Sequence, residues 1–568
     1  MLIGVLFLFF VYLTLLIPGY VLVSRLAIFQ RNNGIKLSLS IGCSIFIFAF
    51  LSTVFYLLKP PVWIQIALLW AVIAVASVDF VHKHYYKDLI RFKFPLACWL
   101  VMAILAACFF SLPYSAHYKK FPDPSFVKTN NYRTLNVKVI NLSNTQANDN
   151  YLPYRQAQFF VNHLDPSKTQ FLSEWDVSFF ERTPLLGAYT ASYFEMFREY
   201  VPAGLLWNQG VKDPDNTYLQ FQLISALLNM VFIVPSFFIL KKLFNHRAAV
   251  ITSLFLILSS FFLYNAVFSW PKSLVAFFIL SSWLMLLEDR QVYTIGAAAM
   301  SGLAYLTHDL AVLYIGTSII FLLLHKRFRD SLFMLVIPIV FAAPWLYASL
   351  IYYRIPSTFI YYPFSTNGIP QIAQKAQIFK NFFKTPVWRL IYIRLDNIAY
   401  LLSPTHWNNG IFSVSGAMGY GLVLPFYIAI IKAWRKRDIL IFILFPILLE
   451  SLVVGWPRGL GALHFAEAIV VIGSGLTLSF LLKLKRGQIW ILLAYVANLV
   501  GFCLFVLGSY KYNIGGWFSS AGSIVKVFYI VTVVLVISWA IFRWVLHKPI
   551  FNEKYFRSFR IRLRKAFL

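Results

Sequence analysis

The stretch MLIGVLFLFFVYLTLLIPGYVLV, residues 1–23, decides the fold class of this chain. A helix needs about 20 mostly apolar residues to cross a bilayer, and this stretch contains no charged residue. It also lacks the basic n-region and small-residue cleavage site of a secretory signal peptide. We therefore predict a retained transmembrane helix here.

The composition of the whole chain extends this conclusion. Of its 568 residues, 60% are hydrophobic and only 12% are charged, and the mean hydropathy is +0.71. Soluble globular chains carry about 25% charged residues, so the composition excludes a soluble enzyme, a disordered protein and a soluble nucleic-acid-binding domain. The four cysteines lie in apolar runs without paired spacing, which indicates neither a disulfide framework nor a zinc site.

Apolar runs of similar length recur along the chain. They predict an all-α polytopic membrane protein with about 15 transmembrane helices, beginning near residues 2, 38, 62, 95, 220, 248, 273, 292, 309, 331, 411, 439, 464, 488 and 523. If the N-terminus lies outside, the short inside loops and the tail from Arg543 contain 29 of the 50 Lys and Arg residues. Most of the net charge of +29 then reflects topology, and the basic tail is predicted to contact anionic lipid rather than nucleic acid.

Two outside segments are longer than simple connections. Residues 114–219 contain 10 of the 21 acidic residues and are predicted to form a folded extracytoplasmic loop, since structureless loops of this length are uncommon. In the second segment, apolar residues recur at helical spacing from Ile372 to Phe383, which predicts a basic amphipathic helix in the membrane plane. The predicted division is 1–94 (accessory helices), 95–350 (helical core with the loop 114–219), 351–410 (second outside segment), 411–542 (C-terminal helices) and 543–568 (cytoplasmic tail).

The first long segment contains the candidate catalytic residue. Asp149 lies in the run NDNYLPYR, residues 148–155, just ahead of a predicted helix that has Pro153 in its first turn. The helix dipole favours an ionised carboxylate there, as a base at neutral pH requires. About 30 residues later, Arg182-Thr183-Pro184 leads into a second apolar helix. Taken singly, Asp149 is better explained as an ordinary N-cap, and Arg182 as the partner of Glu181 or Glu174.

The order and spacing of these residues resemble the first extracytoplasmic loop of the GT-C superfamily of membrane glycosyltransferases. The resemblance is to the group of protein mannosyltransferases and lipid A aminoarabinose transferases. Asp149 matches the family's acid, Tyr154 and Ala157 match the helix that follows it, and Arg182, Pro184 and Leu185 match the later segment. Two further stretches agree, Tyr264–Ser273 and Gly302–Asp309.

The chain also departs from the family pattern. Asn150 stands where the second acid of the pair is expected, three predicted spans precede the family core, and Lys272 stands where many relatives carry an acid. These departures leave the donor sugar open, and also whether a divalent metal takes part.

Ionisable residues at the predicted outer ends of the helices are further candidates, because such groups are costly in a membrane. They are Lys272, His308, Asp309, Arg354, Arg389, Arg394, Asp396, His406, Arg458 and His464. Cations suit the phosphate of a lipid-linked donor, so we assign donor-phosphate or substrate binding to Tyr154, Arg155, Arg182, Lys272, His308, Asp309 and Arg458. The alternative for Arg458 is that it only reaches lipid headgroups.

The resemblance implies a glycosyltransferase that moves a sugar from a polyprenyl-phosphate donor to an acceptor hydroxyl, with inversion and with Asp149 as base. The acceptor is a glycan, a lipid or a protein. The expected location is a bacterial inner membrane with the active site facing the periplasm. Two alternatives stay open: an O-antigen ligase or polymerase, and a lipid-linked-sugar flippase or transporter.

Overall fold

The structure is a computed structural model that describes residues 2–26, 32–111, 117–122, 134–139, 152–167, 179–197, 215–267, 269–354, 357–368, 375–402, 413–458 and 460–507. Within these ranges the chain is a helical bundle with one small antiparallel hairpin. The predicted helical class of fold is therefore confirmed, and the chain is a multi-pass membrane protein.

The first group of helices precedes the long loop. It consists of α1 (Leu2–Arg25), α2 (Asn33–Leu58), α3 (Val62–His82), α4 (Tyr86–Leu89) and α5 (Lys93–Ser111). The side chain of Asn32 accepts hydrogen bonds from the backbone N–H groups of Gly34 and Ile35 and thereby caps α2. Gly19 lets α1 approach α2 closely, since a Cβ atom there would lie 1.8 Å from the Ser40 carbonyl oxygen.

The long loop contributes a hairpin and two helices. Strands β1 (His117–Pro122) and β2 (Thr134–Val139) pair antiparallel, with His117 opposite Val139. The hairpin was not predicted from the sequence. The two predicted loop helices are present as α6 (Leu152–Val161) and α7 (Leu185–Phe197).

The second group of helices follows the loop. It consists of α8 (Asp215–Met230), α9 (Ile233–Leu243), α10 (His246–Ile257), α11 (Ser260–Val267), α12 (Lys272–Leu286), α13 (Gln291–Thr307), α14 (Ala311–Leu324) and α15 (Phe328–Leu346). The chain bends by 54° between α10 and α11, where Ser259 and Ser260 adjoin, and serine pairs are common at such bends. A π-helical turn, Tyr347–Tyr352, continues α15.

The third group contains α16 (Lys375–Lys384), α17 (Val387–Leu402), α18 (Val414–Ala417), α19 (Val423–Lys432), α20 (Arg437–Val453), α21 (Glu467–Leu481) and α22 (Gly487–Leu507). Helix α16 coincides with the predicted amphipathic helix. Helix α17 was not predicted, and its Arg394 and Asn397 side chains donate to the Val454 carbonyl oxygen.

In the part of the chain that the structure describes, six helical stretches are long and apolar enough to cross a membrane, or seven if α10 and α11 form one bent span. Thirteen of the 15 predicted starting points fall within a described helix or no more than three residues before one, and those near residues 411 and 523 lie outside the described residues. The number 15 is not confirmed, because several of the other apolar helices have only 10 to 17 residues.

One end of the bundle, called here the inner end, gathers charges from loops that were predicted to be cytoplasmic. Arg25 pairs with Asp79 at 3.1 Å, Lys242 with Glu288 at 2.5 Å, and His325 with Asp438 at 3.2 Å. Asn32 Nδ2 also donates to Glu288 Oε1 at 2.9 Å, which joins α2 to this group.

Candidate functional site

The opposite end of the bundle, called here the outer end, brings together side chains from distant parts of the chain. Lys272 is the first residue of α12, His308 and Asp309 lie in the turn between α13 and α14, and His464 lies in a 3₁₀ turn before α21. Arg182 precedes α7 and interacts electrostatically with His308, Asp309 and His464. We refer to Arg182, Lys272, His308, Asp309 and His464 as the outer cluster.

Lys272 is the buried cation of this cluster, with 4% of its surface exposed. Its Nζ atom lies 2.9 Å from His464 Nδ1 and 3.2 Å from the centre of the Trp270 ring. The Trp270 and His464 rings are 5.2 Å apart, so both flank the same ammonium group. This burial and these contacts fix the position of the charge.

The backbone before Lys272 is strained. Ser269 has a φ of 59°, in the left-handed region that residues other than glycine rarely adopt. Among the described residues, the buried hydroxyl groups of Ser269 and Ser273 have no hydrogen-bond partner. Unsatisfied buried hydroxyl groups beside a cation are suitable donors for an anionic ligand.

Hydrogen bonds from α6 to the segment before α7 hold the backbone at Arg182 in place. The Gln156 side chain on α6 donates hydrogen bonds to the carbonyl oxygens of Phe179 and Arg182, at 3.0 and 2.7 Å. Gly187 allows this close packing, because a Cβ atom there would lie 2.6 Å from Gln156 Cβ. The helix that follows Asp149 is therefore tied directly to the segment that carries Arg182.

His308 and Asp309 form a pair in which His308 Nδ1 lies 2.8 Å from Asp309 Oδ1. Burial lowers the pKa of His308, and the neighbouring Arg182 and Lys272 charges lower it further against the effect of Asp309. Burial alone would raise the pKa of Asp309, but His308, Arg182 and the Ser357 hydroxyl together lower it. The surroundings thus favour the carboxylate form of Asp309.

His464 was named in the sequence only as one of several ionisable residues at the outer ends. Burial lowers its pKa well below the usual value, and the charges of Lys272, His308 and Arg182 act in the same direction. No local sequence signal predicts the contact between His464 and Lys272, because the two residues are 192 positions apart.

Beneath the cluster, a buried carboxyl group has an amide partner. Asn265 Nδ2 on α11 donates to Glu467 Oε1 on α21 at 3.1 Å, and Glu467 also interacts with the Lys272 charge. The sequence assigned no role to Glu467. Its place shows that α11, α12 and α21 meet under Lys272.

A pocket lies beside Asp309, and its volume of about 380 Å³ includes the solvent-filled space at its entrance. Its wall combines aromatic and polar side chains, among them Phe180, Thr183, Asp309, Trp345, Ser357 and Phe359. The Ser357 hydroxyl donates to Asp309 Oδ2 at 3.2 Å. The pocket therefore joins the outer cluster to the segment after α15.

Other predicted site residues make their described contacts elsewhere. The Tyr154 hydroxyl lies 2.8 Å from Thr217 Oγ1, and Arg155 donates to Gln158 at 2.9 Å and lies over the Phe159 ring. Burial lowers the pKa of Arg155 to about 10. These contacts tie α6 to α8 and brace α6 itself, and the substrate roles of both residues stay predictions.

Two further predicted site residues, Arg458 and Asp149, are not part of the described outer cluster. The Arg458 side chain is 64% exposed and its Nε atom lies 3.7 Å from Asp396 Oδ2 on α17, so it belongs to a separate pair. Asp149 lies outside the described residues, and α6 begins three positions later at Leu152.

Residues 215–347 match the family model of dolichyl-phosphate-mannose-protein mannosyltransferases. This match confirms the resemblance to the mannosyltransferase group of the GT-C superfamily. The matched range runs from α8 to the end of α15 and includes Lys272, His308 and Asp309.

Two solved structures are also similar to the chain. The undecaprenyl-phosphate-bound ArnT of Cupriavidus metallidurans has 15% identity and a TM-score of 0.42, over 72% of this chain and 70% of that one. The oligosaccharyltransferase AglB of Archaeoglobus fulgidus, in complex with an inhibitory peptide and a dolichol-phosphate, has 13% identity and a TM-score of 0.42, over 73% of this chain and 55% of that one. No curated protein matches the sequence.

The described part of the chain contains no group of three or more His, Cys, Asp or Glu side chains placed to hold a metal ion. In the outer cluster, His308 and Arg182 lower the pKa of the Asp309 carboxyl group. The Arg182 and Lys272 charges beside His308 favour an anion over a divalent cation at the outer cluster, and the participation of a metal stays untested.

Proposed function

We propose that this protein transfers a sugar from a polyprenyl-phosphate-linked donor to an acceptor hydroxyl at the extracytoplasmic face of a membrane. The observation that carries the proposal is the convergence of Arg182, Lys272 and His308 at one end of an apolar helical bundle. A lipid phosphate at the membrane surface is an anion that such a cluster would bind. The family match supports the same donor class, since that family is named for a dolichyl-phosphate sugar.

The cationic side chains would act on the leaving group. When the bond between the anomeric carbon and the phosphate oxygen breaks, the electron pair stays on the phosphate. Fixed positive charges in a site that excludes water stabilise this developing charge without reorganisation. Lys272 provides a buried point charge, and Arg182 provides a planar fork of N–H donors that matches phosphate.

Asp149 would act as the general base. Its carboxylate would take the proton of the acceptor hydroxyl while the hydroxyl oxygen attacks the anomeric carbon from the side opposite the phosphate, which inverts the configuration. The short link from Asp149 to α6, and the Gln156 hydrogen bond from α6 to Arg182, support a base near the cations. The acceptor would be a glycan, a lipid or a protein, and the location a bacterial inner membrane with the site facing the periplasm.

The first prediction tests the base by Asp149→Asn. The amide keeps the size and can still cap a helix, but it cannot accept the proton, so transfer should fall by about 10²–10⁴-fold. Mass spectrometry of cell-envelope glycans, from cells with the wild-type protein, with the variant and with neither, measures the transferred sugar. Binding of undecaprenyl phosphate to the purified variant should persist.

The matched control is Asp165→Asn. Asp165 follows α6, and its carboxylate accepts hydrogen bonds from the N–H and hydroxyl groups of Ser167, so this variant should transfer sugar normally. Wild-type transfer by Asp149→Asn would exclude Asp149 as the base. Identical glycans with and without the wild-type protein would contradict the proposed function itself.

A further inference from the structure

The Lys272 ammonium group lies between side chains of two different elements. Trp270 is two positions before it in the same tight segment, and its ring centre is 3.2 Å from Nζ. His464 comes from the turn before α21, with Nδ1 2.9 Å from Nζ. The ammonium group is thus held on one side by an aromatic face and on another by an imidazole nitrogen.

The hydrogen bond fixes the state of His464. A lysine ammonium group has three donors and no acceptor, so His464 Nδ1 must accept and its ring proton must lie on Nε2. The low pKa of His464, caused by burial and by the charges of Lys272, His308 and Arg182, agrees with a neutral ring. His464 therefore adds no competing positive charge and leaves Nε2–H as a donor.

The backbone supports the aromatic side of this arrangement. The left-handed Ser269 turns the chain immediately before Trp270, and the N–H group of Ser269 donates to the Ala266 carbonyl oxygen at 3.1 Å. Such strain persists where the surrounding structure fixes it, and it is common at functional sites. Here it directs Trp270 and Lys272 into the outer cluster.

We propose that His464 and Trp270 are positioning residues that hold the Lys272 ammonium group in place for an anionic phosphate ligand. A free lysine side chain has a flexible four-carbon stem, and a ligand that must order it binds more weakly than one that meets a preorganised charge. The proposal deepens the proposed function and rests on it for the ligand, whereas the arrangement around Lys272 exists without ligand.

The first arm of the test needs no ligand. In lipid nanodiscs the full-length protein is treated with acetic anhydride, and acetylation of Lys272 is measured by peptide mass spectrometry. His464→Phe keeps a ring beside Trp270 but removes the acceptor, so labelling of Lys272 should rise several-fold. His464→Asn places an amide oxygen near the former Nδ1 position and should restore the wild-type value.

The second arm measures the affinity for undecaprenyl phosphate. His464→Phe should weaken binding about tenfold, the loss expected for one hydrogen bond to a charged group, and His464→Asn should bind within about threefold of wild type. In a Lys272→Met background, His464→Phe should cause no further loss, because His464 acts through Lys272. Lys380→Met, which removes an exposed lysine of α16, is the matched control.

The outcomes separate this proposal from the proposed function. Unchanged labelling of Lys272 in His464→Phe, or equal losses of affinity with and without Lys272, would overturn the positioning role. A wild-type protein that does not bind undecaprenyl phosphate would contradict the proposed donor, while the labelling arm still decides the positioning role. If His464→Phe does not fold, Trp270→Leu removes the other contact and should raise Lys272 labelling in the same way.

Discussion

At the residue scale, burial separates two cations that looked equivalent in the sequence. Lys272 and Arg458 were both assigned to donor phosphate. Lys272 is buried among polar and aromatic partners, whereas the Arg458 side chain is 64% exposed and pairs with Asp396. Exposed charges are screened by water and salt. A positive charge at Lys272 therefore contributes more to the affinity for a phosphate ligand than one at Arg458.

This difference gives the second prediction. Lys272→Met should weaken undecaprenyl-phosphate binding about tenfold or more, because it removes a desolvated charge-assisted contact. Arg458→Gln should change the affinity by less than about threefold. Equilibrium binding to both purified variants at moderate salt measures the effect. Equal losses would place Arg458 at the phosphate as firmly as Lys272.

The third prediction concerns pH. The pKa of His464 is lowered in the folded protein, mainly by burial, so the unfolded chain binds its proton first as the pH falls. The contribution of the neutral ring to stability is complete above the unfolded pKa of about 6.5 and is lost below it. Thermal unfolding followed from pH 7.5 to 5 should show a smaller acid loss in His464→Asn than in wild type.

The other histidines provide the background for that measurement. His308 also has a lowered pKa, caused first by burial, and it stays in both proteins, so only the difference between the two curves reports His464. Parallel curves for wild type and His464→Asn would mean that His464 keeps an ordinary pKa.

At the element scale, α7 connects the first group of helices to the loop. The Tyr193 hydroxyl lies 2.5 Å from Thr14 Oγ1 on α1, and Ser52 on α2 donates to Glu195 at 3.0 Å. The indole N–H of Trp70 on α3 lies 3.4 Å from the Met196 carbonyl oxygen. Polar contacts with three helices, buried for α1 and α2 and part-buried for α3, fix α7, and the segment with Arg182 directly precedes it.

The fourth prediction tests the packing of α6 on α7 by Gly187→Ala. The new Cβ atom would lie 2.6 Å from Gln156 Cβ, so the helices must separate, at a cost of about 1–3 kcal/mol. Thermal unfolding should show lower stability, and transfer should fall because Gln156 no longer holds the Arg182 segment.

Gly316→Ala on α14 is the matched control. Its added Cβ atom meets only the flexible end of Leu449 at 3.0 Å, and alanine is the better helix former. This variant should be as stable as wild type or more stable. A similar loss in both variants would mean that the α6–α7 crossing has no special importance.

At the scale of the whole molecule, the fifth prediction concerns topology. Single cysteines at positions 170, 435 and 560, in a background without Cys43, Cys98, Cys108 and Cys503, should react differently with a membrane-impermeant reagent. Position 170 should be labelled from outside, and positions 435 and 560 only after permeabilisation. Labelling of 170 and 435 from the same side would contradict the orientation.

Local patterns predicted much of the fold. Runs of apolar residues and basic loops marked 13 described helices, and the Pro153 and Pro184 signals marked the starts of α6 and α7. Helix α17 was not predicted, because its amphipathic pattern lies beside many prolines and polar residues. The number of spans could not be fixed, since short helices such as α12 are buried by neighbours rather than by lipid.

The candidate site was predictable only in part. Arg182, Lys272, His308 and Asp309 were chosen by residue type and predicted side, and the structure brings them together. His464 could not be assigned, because its contact with Lys272 depends on the packing of α12 against the turn before α21. Whether Asp149 joins them stays a prediction.

The contacts of α7 with α1, α2 and α3 limit how far the chain could be shortened from its N-terminus. A shortened protein that began at the predicted core boundary near residue 94 would expose the buried rings of Tyr189 and Tyr193. The Glu195 carboxyl group would also lose its hydrogen bond from Ser52. The leading helices therefore cover the buried face of α7, and truncated or chimaeric versions of this chain should retain them.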